Sequence, residues 1–453
     1  MKGTDIKFAF FLGIGLLLFS IQGPVYYGSD ADYVVPQLVS IFQHGDQNID
    51  EYSHLYGEQY QIRKVGNHYY DAYPYGIVYL ALPPAFLLNA IYGADYLSLH
   101  RDRIAVILAS CLMAVATMLV FFMSRLRGLN RWRSGLLALF AGLGTSMLST
   151  GSRAPWQQSG VMLIGMGLLC LLILHRRKKD AGTLTGMGLL LGLGFMVRPL
   201  MVLYAAGIGL YLLFDRESRK GLHFFVLPGL AVAALFVWQS FHLFDAPLPP
   251  YYLADSSGFN FDYANSIPGM LFSPNRGFFA WHPAFLFSAI ALVSGTASSL
   301  RYAALRLRIA VSDFFPLPER KSTDQNIEIR SVAARVQNER TKDSFLPFAL
   351  LIVLGHGFIV ASYEPWWGGH SLGPRLLSDL IPLFLYALVP FIRRMDFAHP
   401  AFALTLFVCM AFSCVVHIRC IFVPEMGAWN RSPVDINLAP ERVWDSDDLQ
   451  WFR

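Results

Sequence analysis

The chain has 453 residues, of which 55% are hydrophobic and only 15% charged, with a formal net charge of +5. Soluble proteins carry about 25% charged residues, so this balance, with a mean hydropathy of +0.43, excludes an ordinary soluble globular protein. The apolar residues come in blocks close to the ~20 residues that span a bilayer, and the alternating segments of a β-barrel are absent, so the fold class is all-α and polytopic transmembrane.

The N-terminal run "FAFFLGIGLLLFSIQG" follows Lys2 and Lys7, has no A-x-A-like end and is followed by further spans, so it reads as a retained first helix and not a cleaved signal. Eleven spans are expected, near 6–23, 104–124, 134–150, 159–174, 183–197, 199–214, 222–241, 278–297, 345–361, 376–391 and 401–418. The apolar run 76–93 is read as an interfacial or re-entrant helix instead, because it carries Pro83 and Pro84 inside it. With that reading, the N-terminus, "RLRGLNRWR", "HRRKKDAG", "DRESRKG", the 298–344 segment and "RRMDF" fall on one side and hold two thirds of the 36 Lys and Arg residues. Positive-inside bias makes that side cytoplasmic, with the C-terminal tail 419–453 outside. The 298–344 segment opens with Arg301, Arg306 and Arg308 among Leu, Ile and Val, which suits a basic amphipathic helix on the leaflet, followed by a polar, mobile stretch. Its domain plan is thus one integral membrane unit, 1–453, with a first outer loop, 24–103, that carries interfacial helices. Cys111, Cys170, Cys409, Cys414 and Cys420 lie in or next to apolar runs with no CxxC pair, so they read as core residues.

Polar chemistry collects in the outer connections. They are 24–75, "STGSRAPWQQSG", 242–283, "YEPWWGGHSLGPRLL" and the tail, and they share Trp, Tyr, Gly, Pro, carboxylates and isolated arginines. Aromatics beside a few polar groups suit a sugar ring, and an arginine near the leaflet suits a phosphate. The bland alternatives are interfacial Trp and Tyr, snorkelling of Arg101 and Arg103 at a helix end, and an anchoring Arg198 in a tight hairpin. In "GSDADYVV", Asp30 and Asp32 are either loop or N-cap acids, or a general base or one arm of a metal site.

These stretches resemble the GT-C superfamily of polyprenyl-phosphate-sugar-dependent membrane glycosyltransferases, and most of all the bacterial relatives of protein O-mannosyltransferases and aminoarabinose transferases. The resemblance rests on the acidic "SDADY" after the first span, the proline-bearing "NHYYDAYPYGIVYLALPP", the helix opening "HRDRIAVILAS", and the stretches "LFSPNRGFFAWHPAFL" and "YEPWWGGHSLGPRLLSDLIPLFLY". Two departures stand out. The acidic pair is split by Ala31, which leaves open which Asp is the base. Only about 35 residues follow the last span, where some members carry a large soluble domain.

The resemblance implies an inverting transferase on the outer face of a bacterial inner membrane, moving a hexose or pentose from a polyprenyl-phosphate donor to an envelope lipid, glycan or protein. Asp30, then Asp32, is the implied base. Arg276, Arg375, Arg153 and Arg101 are implied for the donor phosphate. Glu364, Trp366, Trp367, His370, His282 and Tyr73 are implied for the sugar and acceptor cavity. No cofactor is expected unless a divalent ion sits at Asp30 and Asp32, and no nucleic acid. The alternatives are a flippase for lipid-linked sugars and a non-catalytic envelope-assembly partner.

Overall fold

The computed structural model describes residues 3–26, 28–52, 61–253, 258–259, 261–314, 343–395 and 398–453. Its helices are α1 (Gly3–Ser20), α2 (Val34–Gln43), α3 (Gly76–Tyr92), α4 (Ala94–Leu99), α5 (Arg101–Leu126), α6 (Arg131–Leu143), α7 (Gln157–Lys178), α8 (Ala181–Val197), α9 (Val202–Phe214), α10 (His223–Phe244), α11 (Tyr263–Phe272), α12 (Phe285–Phe314), α13 (Leu346–Ala361), α14 (Ile381–Arg393) and α15 (Pro400–Phe422), with shorter turns between them. The chain is nearly all-α. One antiparallel hairpin, β1 (Ile62–Val65) and β2 (His68–Asp71), pairs Ile62 with Asp71. Among the described residues, α1, α5, α7, α10, the 375–393 segment and α15 are long and apolar enough to cross a membrane, and α3, α8, the 199–214 segment and α13 are shorter apolar helices. The protein is therefore a multi-pass membrane protein.

The helices sort by what covers them. In α7 and the 375–393 segment 78% of the most apolar window is buried, against 17% in α10, so these two are central and α10 is a peripheral helix that turns Leu227, Leu230, Leu235 and Trp238 outward. The close seating of α8 on α10 follows from glycine. A Cβ at Gly188 would lie 2.2 Å from the Phe225 carbonyl oxygen, and one at Gly192 would lie 2.5 Å from the Val232 Cβ. Small residues four apart let two backbones approach where lipid supplies no hydrophobic drive.

Three expectations change in detail. Helix α3 runs unbroken through Pro83 and Pro84. The prolines remove the N–H donors to the Tyr79 and Leu80 carbonyls, but Pro83 is exposed and Pro84 half-buried while Ala81 and Ala85 beside them are fully buried, so packing on one face carries the helix past them. The expected span at 278–297 starts instead at Phe285. His282 precedes a proline and leaves the helical region at φ −130°, ψ 63°. That same helix then continues to Phe314 and does not stop before the basic stretch. Nothing there breaks it, and Thr296, Ser298 and Ser299 donate back to the carbonyls of Leu292, Ser294 and Gly295, four residues earlier. The side chains of Arg306 and Arg308, and the expected mobile stretch after Phe314 up to 342, lie outside the described residues.

Ion pairs mark one end of the bundle. Asp5 pairs with Arg125 at 3.0 Å and Arg131 at 3.3 Å, and Asp343 pairs with Arg127 at 2.7 Å and with Arg176. The aromatic and acidic connections gather at the other end.

Candidate active site

At that other end a cavity of about 420 Å³ opens between the helix tips. Its polar wall holds Asp30, Asp71, Arg198 and Arg375, with Trp156, Gln157, Tyr251 and Tyr252 beside them; its apolar wall includes Ile77, Val202, Ile359 and Val360. Four of the five outer connections reach it, from positions more than 340 residues apart in sequence. One end of the bundle thus brings together what the chain keeps separate.

Asp30 sits in a 3-10 turn, Ser29–Ala31, that redirects the chain after α1, with Ser29 held at φ +47°. Its carboxylate meets the Arg375 guanidinium at 3.4 Å. Arg375 comes from the segment "YEPWWGGHSLGPRLL", whose tight course depends on positive φ at Gly368, Gly369 and Gly373, which only glycine adopts freely. The guanidinium also lies over the Trp156 ring, 4.5 Å from its centroid, and donates to the Gly368 carbonyl at 3.4 Å. Arg375 Nε, Trp156 Nε1 and Gln157 Nε2 are buried and have no hydrogen-bond partner among the described residues. Buried donors are costly unless satisfied, and three of them on one cavity wall suit a ligand rich in oxygen.

Asp71, at the end of β2, is nearly fully buried. It accepts from Gln37 Nε2 at 2.7 Å and from the Tyr73 N–H at 3.0 Å. Burial pushes its carboxyl up to about 8, against the pull of those two bonds, with Asp30 adding a small push in the same direction. Burial thus favours the protonated form of Asp71. Gln37 Oε1 has no partner in the arrangement drawn, and turning that amide over lets it accept the Asp71 proton. Arg198 pairs with the buried Asp379 at 3.0 Å, and His356 lies 3.8 Å from the same carboxylate.

The expected site residues divide. Asp30, Arg375 and Tyr73 are on the cavity wall, with Tyr73 against Tyr251 at 4.2 Å between ring centroids. Asp32 is not. It accepts from the Tyr26 hydroxyl, and burial raises its carboxyl above the usual range. Arg101 lies off the wall, 3.7 Å from Asp102, half exposed at the start of α5. Arg153 is fully buried behind the wall. It clamps the end of α1 by donating to Ser20 O at 2.7 Å, Gly23 O at 3.2 Å and Val25 O at 3.3 Å.

Arg276 is also away from the cavity. It donates to the Trp367 carbonyl at 3.1 Å, the Asn275 carbonyl at 3.1 Å, Gln450 Oε1 and Asn430 Oδ1. Asn275 holds the tail as well, through the carbonyls of Arg442 at 3.1 Å and Asp445 at 2.9 Å. The "SPNRG" stretch is thus the anchor of the C-terminal tail. Trp367 belongs to that anchor, donating to Asn437 Oδ1 at 3.1 Å, and Trp366 packs over Gly269. His370 pairs with Asp435 at 2.8 Å, and His282 lies against His417 at 4.7 Å. Glu364 turns its backbone N–H to Gly258 at 3.0 Å and does not line the cavity.

Asp71, Arg198, Trp156, Gln157, Tyr251 and Tyr252 went unselected in the sequence. Arg198 did carry a signal, as an ionisable residue between two apolar runs. Among the described residues no group of three or more His, Cys, Asp or Glu side chains could hold a metal, and Asp30 and Asp32 bond in different directions.

No curated protein sequence matches the chain. Residues 94–241, from α4 almost to the end of α10, match the family model described as dolichyl-phosphate-mannose-protein mannosyltransferase, a GT-C superfamily domain, and this match points to a membrane glycosyltransferase of the GT-C type.

Proposed function

We propose that the cavity holds a polyprenyl-phosphate-linked sugar on the outer face of the membrane and transfers that sugar to an envelope acceptor, with eleven spans placing the N-terminus inside. One observation carries this reading: two arginines, one paired carboxylate and one buried carboxyl share a cavity with aromatic rings on one side and an aliphatic wall on the other. Arg375 and Arg198 suit the donor phosphate, since a guanidinium offers a planar fork to phosphate oxygens. Trp156, Tyr251 and Tyr252 suit the sugar faces. The aliphatic wall, from α3, α9 and α13, suits the first isoprene units.

In the reaction the acceptor hydroxyl oxygen bonds to the anomeric carbon as the bond from that carbon to the phosphate oxygen breaks. The phosphate leaves with the electron pair, and the acceptor proton passes to Asp30. Phosphate entering beside Arg375 loosens the Arg375–Asp30 pair and so frees the carboxylate as a base. Asp71, kept neutral, donates a hydrogen bond without adding repulsion toward the phosphate.

The test is transfer in proteoliposomes. Wild-type protein is given polyprenyl phosphate carrying a radiolabelled sugar, with an envelope extract as acceptor. Label should move to the acceptor with wild type and not with Asp30→Asn. Labelled lipid changing leaflets with its sugar still attached would replace the transferase by a flippase.

A further inference from the structure

The opposite end of the bundle holds a larger cavity, about 780 Å³, that sugar transfer does not use. Five arginines line it: Arg127, Arg176, Arg177, Arg393 and Arg394. One carboxylate, Asp343, faces them. We propose that this cavity binds the phosphate headgroup of an anionic phospholipid, docking the bundle to its own leaflet.

Three features of the cavity carry the assignment. First, the arginines are preorganised. Asp343 accepts from Arg127 at 2.7 Å and also from Arg176, and the Arg127 guanidinium stacks 3.9 Å from the Tyr386 ring centroid. Arg177 and Arg393 donate to the Leu126 and Arg127 carbonyls at the C-terminus of α5, where the end of a helix leaves acceptors unpaired. Arg127 and Arg176 also donate to the Tyr386 carbonyl and hydroxyl, while Arg177 and Arg393 are each held by a single carbonyl, and a guanidinium has five N–H donors, so some remain available on each. Second, the charge is unbalanced. Five cations around one carboxylate repel one another, and an anion relieves that repulsion. Among the described residues the Arg394 side chain makes no hydrogen bond or ion pair, and it stands exposed at the rim.

Third, the remaining lining is amphipathic in the sense a lipid needs. Ser294 and Ser298 of α12 add polar hydroxyls, whose protons go to backbone carbonyls, while Leu126, Ile173 and Phe391 offer an apolar flank. A soluble phosphate ester would use the arginines and leave that flank idle; an acyl chain would cover it. Basic pockets between membrane helices bind anionic headgroups by the same combination of charge and apolar contact. The proposal does not depend on which sugar is transferred, or on transfer at all.

The experiment uses full-length protein stripped of lipid in a neutral detergent. Three probes are titrated: an anionic phosphatidylglycerol, zwitterionic phosphatidylcholine, and sn-glycerol 3-phosphate. Binding is read by native mass spectrometry and by the shift in thermal midpoint. Phosphatidylglycerol should bind and raise the midpoint, and the Arg177→Gln/Arg394→Gln variant should bind it roughly ten- to a hundredfold more weakly. Neither residue pairs with Asp343, so the ion-paired node stays intact. If the double variant melts early without lipid, Arg394→Gln alone, at an exposed position, is the comparison and should still weaken binding. Equal binding of phosphatidylcholine would overturn the proposal. So would unchanged phosphatidylglycerol binding in both variants. Glycerol phosphate binding as tightly as the lipid would assign the cavity to a soluble phosphate ester and overturn the headgroup assignment.

Discussion

Replacing Arg276 separates anchoring from ligand binding. The side chain is buried, and beyond the neighbouring Asn275 its partners come from two distant segments: Trp367 with Gly369, and Asn430 with Gln450 in the tail. Burial pushes its guanidinium down to about 9, with Arg375 and Arg442 adding to the effect; it is still charged at neutral pH. Alanine would leave the Trp367 and Asn275 carbonyls without the guanidinium and Asn430 Oδ1 with only the long 3.5 Å contact from Gln450. Gln450 Oε1 would keep the Gly373 N–H at 3.1 Å. Three buried acceptors orphaned or weakened, at roughly 1–3 kcal/mol each, offset in part by no longer burying a charge without a carboxylate, give a net loss of roughly 2–5 kcal/mol. The variant should therefore melt well below wild type in detergent. At a temperature where it remains folded, its apparent affinity for the lipid-phosphate sugar should be unchanged. Arg276→Lys should recover only part of the midpoint, because an ammonium lacks the planar fork. A variant that melts like wild type but binds donor tenfold more weakly would place Arg276 at the ligand and refute this reasoning.

Arg375→Ala should show the reverse pattern. Its midpoint should change little, while donor affinity falls roughly ten- to a hundredfold, the worth of a charge-assisted phosphate contact; normal turnover would remove Arg375 from the phosphate site. Asp30→Asn should lower the transfer rate by about 10²–10⁴-fold with donor binding kept, and Asp32→Asn should do much less; the opposite order would exchange the two assignments, and loss of activity on chelation would point to a metal between them. Asp71 predicts a pH effect on stability. Its folded value, about 8, lies above the unfolded carboxylate range, so between roughly pH 4 and 8 the folded state holds the extra proton. Stability from this group is complete below that window and declines as pH rises through it. Asp71→Asn can still donate to Gln37 and accept from Tyr73, so thermal melts from pH 5 to 8.5 should show a flatter profile and a higher midpoint than wild type at pH 8. Parallel wild-type and variant profiles would mean that Asp71 is ionised in the fold.

The membrane class was legible because long apolar blocks and basic loops are properties of local sequence. So was the polar character of one end, which appears directly as a cavity. What could not be read locally was the partner of each arginine. Arg276 and Arg375 both sit in Gly/Pro turns of outer loops and look alike in the sequence. Only the path of the tail, which passes Asn430 and Gln450 beside Arg276, makes one an anchor and leaves the other facing Asp30. Asp71 was hidden for a related reason. Its burial and raised pKa come from α2 and the hairpin closing over it, and Gln37 is 34 positions away. Arg198 looked like a hairpin anchor, and its pairing with Asp379 fits that reading, yet the same geometry exposes it to the cavity. Helix α3, expected over 76–93, shows how a local break signal can be overridden. Proline is a strong local signal, and burial of Ala81 and Ala85 on the other face overrides it.

The central claim is that the cavity between Asp30 and Arg375 is where the lipid-linked sugar binds. The most direct measurement is photo-crosslinking with a polyprenyl phosphate analogue that carries a benzophenone on its first isoprene unit, followed by mass spectrometry of the labelled peptides. The account predicts label on the 198–202 connection and on the 359–363 end of α13, both lost when excess unlabelled lipid-phosphate sugar is present and weakened in Arg375→Ala. Label confined to the arginine-lined cavity at the other end, or spread over the outward face of α10 and unaffected by competitor, would contradict it.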